Sequence, residues 1–244
     1  MKGIIVGVFG LLNFAALAAA AGPTVDDVGD VDSFQRHVIY LGLAQTSAVS
    51  LLTDCTPDPT APPGPNDRCI TLSPQPGSTA FNESKLASMN LPAGVTRSLL
   101  CFALTPLMNF SFDNLTGVAQ PNARFVARAV ITIGSPVLSD PTLIDPNTGV
   151  PFNGELTLTL STYSESRSIA SGERAQKQLF LSRDCIAGLV SKRSLVENYG
   201  LTSAQATDFF AKPISLVFGA SGNAQIVDFA TYFYGIRLYG DAPK

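Results

Sequence analysis

The sequence predicts a mainly β protein, an antiparallel β-sandwich of the jelly-roll or immunoglobulin-like kind with two or three short helices. Three segments in which apolar and polar residues alternate favour this class: 108–112, 125–133 and 156–160. Such alternation is typical of strands with one face in a core and one in water. Stretches rich in proline, glycine and asparagine separate the segments and predict turns. An α+β fold is the alternative, because short apolar runs elsewhere fit a strand or a helix.

The first 21 residues have the layout of a cleavable signal peptide. Lys2 is followed by the apolar run 4–17 and by small residues up to Ala21, the order that secretory signals share. The apolar run is too short to span a bilayer as a helix, and no basic flank follows it. We therefore expect cleavage near Ala21, a secreted, periplasmic or cell-surface protein, and no membrane span in the mature chain.

Residues 22–244 have a length that suits one mainly β domain. The stretch 22–32 is acidic and poor in large apolar residues, which predicts a flexible leader. The segment 31–52 carries apolar residues at helical spacing and predicts a helix, although 37–43 equally fits a buried strand.

The strand pattern begins near residue 98. The stretch 99–104 is apolar on both faces, which predicts a central strand that Pro106 interrupts or ends. The stretch 135–154 is a long, turn-rich connection between two of the alternating segments. Further on, 164–173 predicts a polar hairpin tip.

The C-terminal part again predicts β structure, with strands at 214–218 and 224–239 joined by a turn at 219–223. In the second of these strands the phenylalanines and the later aliphatic residues fall on opposite faces. A bulge at Gly235 would bring both sets into the core.

Two helices are predicted between these β regions. Asp184 fits the N-cap of a first helix that ends near Tyr199, with Gly200 as a left-handed stop. Thr202, with Gln205 three residues on, fits the capping box of a second short helix.

Four cysteines form an even set in a chain predicted to reach an oxidising compartment, which favours two disulfides. Cys55 and Cys69 bracket a proline-rich loop that a bridge would close at its base. The pair Cys101 and Cys185 follows by elimination. Buried free thiols are the alternative. The cysteine spacings match no zinc-site pattern, so we predict neither a metal site nor a cofactor.

The chain has one histidine, His37. It lies near no nucleophile motif, so a serine or cysteine triad is not indicated. An acid-pair hydrolase remains open, since sequence spacing does not reveal how far apart two carboxylates lie. The acids considered for it are Asp113, Asp140, Asp145, Glu155, Glu165 and Asp228. Each also fits a turn cap or a solvated position.

The formal net charge is −3, which gives no electrostatic reason to expect a nucleic acid partner. Only 14% of residues are charged, so hydroxyl and amide side chains must cover much of the surface. Six basic residues between 166 and 194 predict a positive face that contacts an anionic partner such as a surface glycan: Arg167, Arg174, Lys177, Arg183, Lys192 and Arg193. Solvated strand and helix faces are the alternative.

These features predict an exported, disulfide-bonded, non-catalytic protein that acts in binding, adhesion or extracellular assembly, with itself or a surface glycan as partner. Two alternatives remain: an extracellular hydrolase of polysaccharides or esters that uses carboxylates, and a carrier of small apolar ligands inside a closed barrel. Asn82, Asn109 and Asn114 begin N-glycosylation sequons, which occur this often by chance.

Overall fold

The computed structural model of the chain describes residues 37–242, except 58, 61, 63, 65 and 185–188. The predicted signal peptide and the predicted leader lie outside the described residues. The described chain is mainly β, and its strands form two sheets that pack as a sandwich. The predicted fold class is therefore confirmed.

Eight strands form sheet A: β1 (His37–Gln45), β2 (Val49–Leu52), β3 (Arg68–Thr71), β5 (Leu99–Asp113), β8 (Arg174–Phe180), β9 (Arg183–Asp184), β10 (Val190–Ser191) and β12 (Val227–Ala242). Four strands form sheet B: β4 (Ser78–Leu91), β6 (Gln120–Gly134), β7 (Glu155–Ile169) and β11 (Ile214–Gln225). In sheet A, β5 and β12 are central. Sheet B has the order β4-β11-β6-β7.

Strand pairing identifies the sandwich as a jelly roll. The antiparallel partners are nested along the chain, with β6 on β7, β5 on β8, β4 on β11 and β2 on β12. Rolling up such a long hairpin brings β5 beside β12 in sheet A and β6 beside β11 in sheet B. Two antiparallel layers connected in this way are the jelly-roll arrangement.

Side chains from both sheets fill the interior. Phe110 of β5 packs on Phe125 of β6, with ring centroids 4.6 Å apart. Tyr234 of β12 is fully buried, and its hydroxyl donates to the carbonyls of Val130 (3.1 Å) and Gly219 (2.7 Å) in sheet B. Packed side chains from both sheets therefore occupy this part of the interior.

In the described residues, two α-helices and one 3-10 helix, Pro136–Ser139, connect the strands. Helix α2 (Ser203–Ala211) begins at the predicted capping box, in which Thr202 and Gln205 bond each other's backbone amides. Helix α1 (Lys192–Glu197) is shorter than predicted, because Ser191 is its N-cap and Asp184 belongs to β9. Gly200 has the predicted left-handed conformation, with φ 72°. No helix in the described part of the chain is long and apolar enough to cross a membrane.

The predicted helix over 31–52 is wrong within the described residues. β1 and β2 occupy 37–45 and 49–52, and both pair with β12. A bulge between Tyr40 and Gly42 shifts the side-chain parity of β1. This shift breaks the period-two pattern and makes the apolar spacing resemble that of a helix.

Pro106 does not end a strand, because β5 runs unbroken from Leu99 to Asp113. The ring nitrogen of Pro106 faces the neighbouring edge where β8 has ended at Phe180 and β9 has not yet begun at Arg183. No ladder hydrogen bond is lost at this gap. The Pro106 carbonyl accepts a hydrogen bond from the backbone of Leu181 at 3.2 Å.

The predicted turn at 219–223 is also wrong, because these residues continue β11. A Cβ at Gly222 would overlap the Val126 carbonyl and the Phe81 ring, so close packing explains this glycine. The chain turns instead at Ile226, with φ 56°, and passes from sheet B to sheet A.

The bulge in β12 lies at Asp228 instead of Gly235, since the register shifts between Val227 and Phe229. Beyond it, Ala230, Tyr232, Tyr234, Ile236 and Leu238 all face the core. Phe233 lies on the outer face of sheet A.

Two further elements differ from the prediction. The 14-residue strand β4 was not predicted, because the left-handed Lys85 and a register shift interrupt its alternation. The predicted hairpin tip at 164–173 does not join paired strands, since β7 belongs to sheet B and β8 to sheet A. The chain crosses between the sheets there.

Cys55 and Cys69 form the predicted disulfide, with Cα atoms 5.7 Å apart. The bridge closes the proline-rich loop between the parallel neighbours β2 and β3. Cys101 is also disulfide-bonded, but Cys185 lies outside the described residues, so the second pairing stays a prediction.

Candidate interaction surfaces

The outer face of sheet A carries a group of apolar side chains that we call the apolar face. Four of them are mostly exposed: Val38 (66%), Tyr40 (59%), Leu43 (57%) and Phe180 (69%). The half-exposed members are Leu107, Phe233 and Tyr239. They come from β1, β5, β8 and β12, so the face spans the width of the sheet.

The registers place these side chains next to one another. Phe180, Leu107 and Phe233 are direct cross-strand neighbours on β8, β5 and β12. At the other end, Tyr40 pairs with Tyr239, with ring centroids 5.9 Å apart. Residues on neighbouring strands at the same register share a face, so these apolar side chains form two groups on one outer face, separated by the row Gln45, Gly235 and Thr105. Among the side chains that the structure describes, Arg237 is an exposed charge on this face.

Asp241, near the end of β12, is 2% exposed and holds the segment that leads into β5. Its carboxylate accepts hydrogen bonds from the hydroxyls of Thr96 and Ser98, both 2.7 Å, and from the amides of Arg97, Ser98 and Leu99. Burial acts to raise the pKa of the Asp241 carboxyl, but the hydrogen bonds from Ser98, Thr96 and Arg97 outweigh it. The pKa therefore lies below its usual range.

The outer face of sheet B has the opposite chemistry, and we call it the polar face. Arg124 and Arg128 of β6 lie four residues apart on this side. Ser221 and Thr162 flank Arg128, whereas Gln225 and Ser166 flank Arg124. A depression of about 390 Å³ beside Arg124 is lined by Asn122, Arg124, Ser164, Ser166 and Gln225.

Neither Arg124 nor Arg128 has a hydrogen bond or ion pair with any residue that the structure describes. The alternation over 125–133 predicts only that Arg128 lies on the solvent side of a strand. The even spacing of the two arginines could have placed them on one face, but the lack of carboxylates nearby depends on the pairing of β6 with β7 and β11.

Most of the predicted basic face is neutralised by local carboxylates. Arg167 pairs with Glu173 at 2.9 Å, Arg174 with Asp228 at 2.8 Å and Arg193 with Glu197 at 2.9 Å. Lys177 pairs with Glu165. Lys192 opens α1, and Arg183 lies in β9, with a side chain outside the description. Contact of this group with an anionic partner stays a prediction.

The candidate acids each have a separate environment. Asp140 and Asp145 accept hydrogen bonds from residues two positions on, as turn-forming aspartates do. Asp228 bonds Arg174, and one of its oxygens is buried without a partner. Asp113 ends β5 and Glu155 begins β7. Within the described ranges, no three histidine, cysteine or acidic side chains come together as a metal ion would require.

Glu165 closes the open edge between the sheets. It accepts hydrogen bonds from Tyr163 of its own strand and from Lys177 of β8. Burial acts to raise the pKa of Glu165, but the bonds from Lys177 and Tyr163 prevail and lower it. Because Tyr163 and Glu165 belong to sheet B and Lys177 to sheet A, this cluster bridges the two sheets.

The three sequons lie in different environments. Asn82 is exposed on β4 and Asn109 is half-buried within β5. Asn114 is buried, and its amide donates to the carbonyls of Val118, Ile169 and Ala170. The Asn114 side chain is therefore engaged in holding a turn.

No family model and no curated protein matches the chain. Among solved structures, it is similar to a chain of infectious bursal disease virus Gt strain, with 12% identity, a TM-score of 0.26, and coverage of 86% of this chain and 34% of that one. It is also similar to the VP2 subviral particle of the same virus, with 9% identity, a TM-score of 0.24, and coverage of 86% of this chain and 33% of that one. The chain thus spans about a third of the length of these structures.

Proposed function

We propose that this disulfide-bonded jelly roll is a structural protein that assembles with further copies of itself through the apolar face. The observation that carries the proposal is that four large apolar side chains on one outer face of sheet A, Val38, Tyr40, Leu43 and Phe180, are mostly exposed. Contiguous exposed apolar patches mark protein interaction sites, because leaving them in water is unfavourable. Fully burying one such side chain contributes about 1.5–3 kcal/mol.

The contrast between the two faces supports a defined interface. The outer side of sheet B offers hydroxyl, amide and guanidinium groups, which water solvates well. The apolar face, by contrast, gains from being covered. A second copy presents the same apolar surface, so two copies can pair face to face as a symmetric dimer. A contact between this face and a different surface would instead extend into a larger assembly.

The test is the mass of the particle in solution. Leu43→Ser removes an apolar side chain from the face, and sedimentation velocity should show the assembly shifted toward the monomer by about tenfold or more in dissociation constant. Leu115→Ser is the matched control, since Leu115 is 72% exposed in the loop after β5. It should leave the distribution unchanged.

A monomeric native chain, or equal effects of the two variants, would overturn the proposal. Neither side chain belongs to the core, so both variants should unfold at the same urea concentration as the native protein.

We also propose that the protein is exported and acts outside the cytoplasm. The N-terminal pattern supports this, and so does the disulfide between Cys55 and Cys69, because such bonds persist in oxidising compartments. The intact mass of the same purified protein shows whether the mature chain begins near Gly22, and a mass that includes residues 1–21 would contradict this proposal.

A further inference from the structure

We propose that the polar face of sheet B binds an acidic polysaccharide, with Arg124 and Arg128 contacting its sulfate or carboxylate groups. This inference is separate from the assembly proposed above, which uses the opposite side of the sandwich.

The spacing of the two arginines suits an extended, repeating ligand. They are four residues apart on one strand, with no bulge between them, so their Cα atoms are about 13 Å apart. β6 has a partner on either side, which holds both residues on a rigid sheet. A chain molecule lying along β6 can therefore meet both guanidinium groups.

The charge of this face favours an anion. Arg124 and Arg128 have no carboxylate partner among the described residues, in contrast to Arg167, Arg174 and Arg193. A guanidinium group can donate two parallel hydrogen bonds to a carboxylate or sulfate. No internal ion pair has to be broken for a ligand to bind here.

The neighbouring side chains favour a polysaccharide over a nucleic acid. Ser221, Thr162, Gln225 and Ser166 offer hydroxyl and amide groups on both sides of the arginines, and these groups can bond sugar hydroxyls. Single-stranded nucleic acids are usually held by aromatic side chains on which bases stack. The described outward-facing residues of β6 and its two neighbours include no aromatic side chain.

The experiment measures binding of a fluorescent heparin octasaccharide to the full exported chain by fluorescence anisotropy at physiological salt. The native protein should bind the probe, and Arg124→Gln with Arg128→Gln should weaken binding by about tenfold or more. Arg97→Gln is the matched control, because it removes an exposed arginine from the loop before β5, which belongs to neither named face. It should change affinity less than about twofold.

Several results would overturn the inference. These are no binding by the native chain, an equal loss in Arg97→Gln, or equally tight binding of neutral dextran or of a single-stranded oligonucleotide. Leu43→Ser should keep its affinity for the octasaccharide, so failure of the assembly proposal and failure of this one can be told apart.

Discussion

The hydroxyl of Tyr234 joins the two sheets at a point where the ladders of sheet B are irregular. Its acceptors, the carbonyls of Val130 and Gly219, lie beside register shifts in β6–β7 and in β11–β4. Bulges leave backbone groups without ladder partners, and the buried hydroxyl satisfies them. Burial raises the pKa of Tyr234 well above its ordinary value, so the group stays a neutral donor.

Tyr234→Phe should lower the free energy of unfolding by about 1–2 kcal/mol, because it leaves buried carbonyls unsatisfied. Urea denaturation measures the change. Tyr232→Phe is the matched control at an equally buried tyrosine on the same strand. If the two variants lose equal stability, the inter-sheet hydrogen bonds do not contribute.

Asp241 should make stability depend on pH. Its pKa is lowered in the folded protein, so its contribution is present above the unfolded pKa of about 3.9 and is lost as pH falls through the folded value. Asp241→Asn should cost about 1–3 kcal/mol at neutral pH. Urea titrations at several pH values should show that the difference in unfolding free energy between Asp241→Asn and the native protein disappears below about pH 4. A difference in unfolding free energy that stays constant with pH would show that ionisation of Asp241 does not stabilise the fold.

Among the elements, β11 depends on glycine for its close packing against neighbouring strands. Gly222 has no room for a methyl group, because the Val126 carbonyl and the Phe81 ring occupy that space. Gly222→Ala should therefore cost about 3 kcal/mol or more through overpacking.

The matched control is Gly235→Ala on β12, where nothing lies within 4 Å of the added Cβ. It should change stability by less than about 1 kcal/mol. Thermal unfolding followed by circular dichroism compares the two variants, and similar losses would show that close approach is not what selects glycine at 222.

Local signals also decided which elements could be predicted. The alternation of β6 and β7 and the capping box of α2 depend on nearby residues, and both were predicted. β1, β4 and the unbroken β5 depend on bulges at Gly42 and Lys85 and on a gap opposite Pro106. Those features arise only when distant strands pair, so no local pattern could reveal them.

At the scale of the whole molecule, the sandwich separates two chemistries onto opposite outer faces. The apolar face could not be read from sequence, because its members come from four strands that lie far apart in the chain. The same holds for the isolation of Arg124 and Arg128. By contrast, most residues of the predicted basic cluster form ion pairs with acids that lie close to them in the structure. Sequence clustering of charge was therefore a poor guide to which cations remain available to a partner.

The nested strand pairing has a consequence for synthesis of the chain. β1 and β2 find their partner in β12, which begins at Val227. Sheet A cannot be completed until this last strand has left the ribosome. Contacts between such distant segments form slowly, and the inner pair β6–β7 is the first antiparallel pair that can form. Because all four strands of sheet B precede Val227, sheet B can be completed before sheet A.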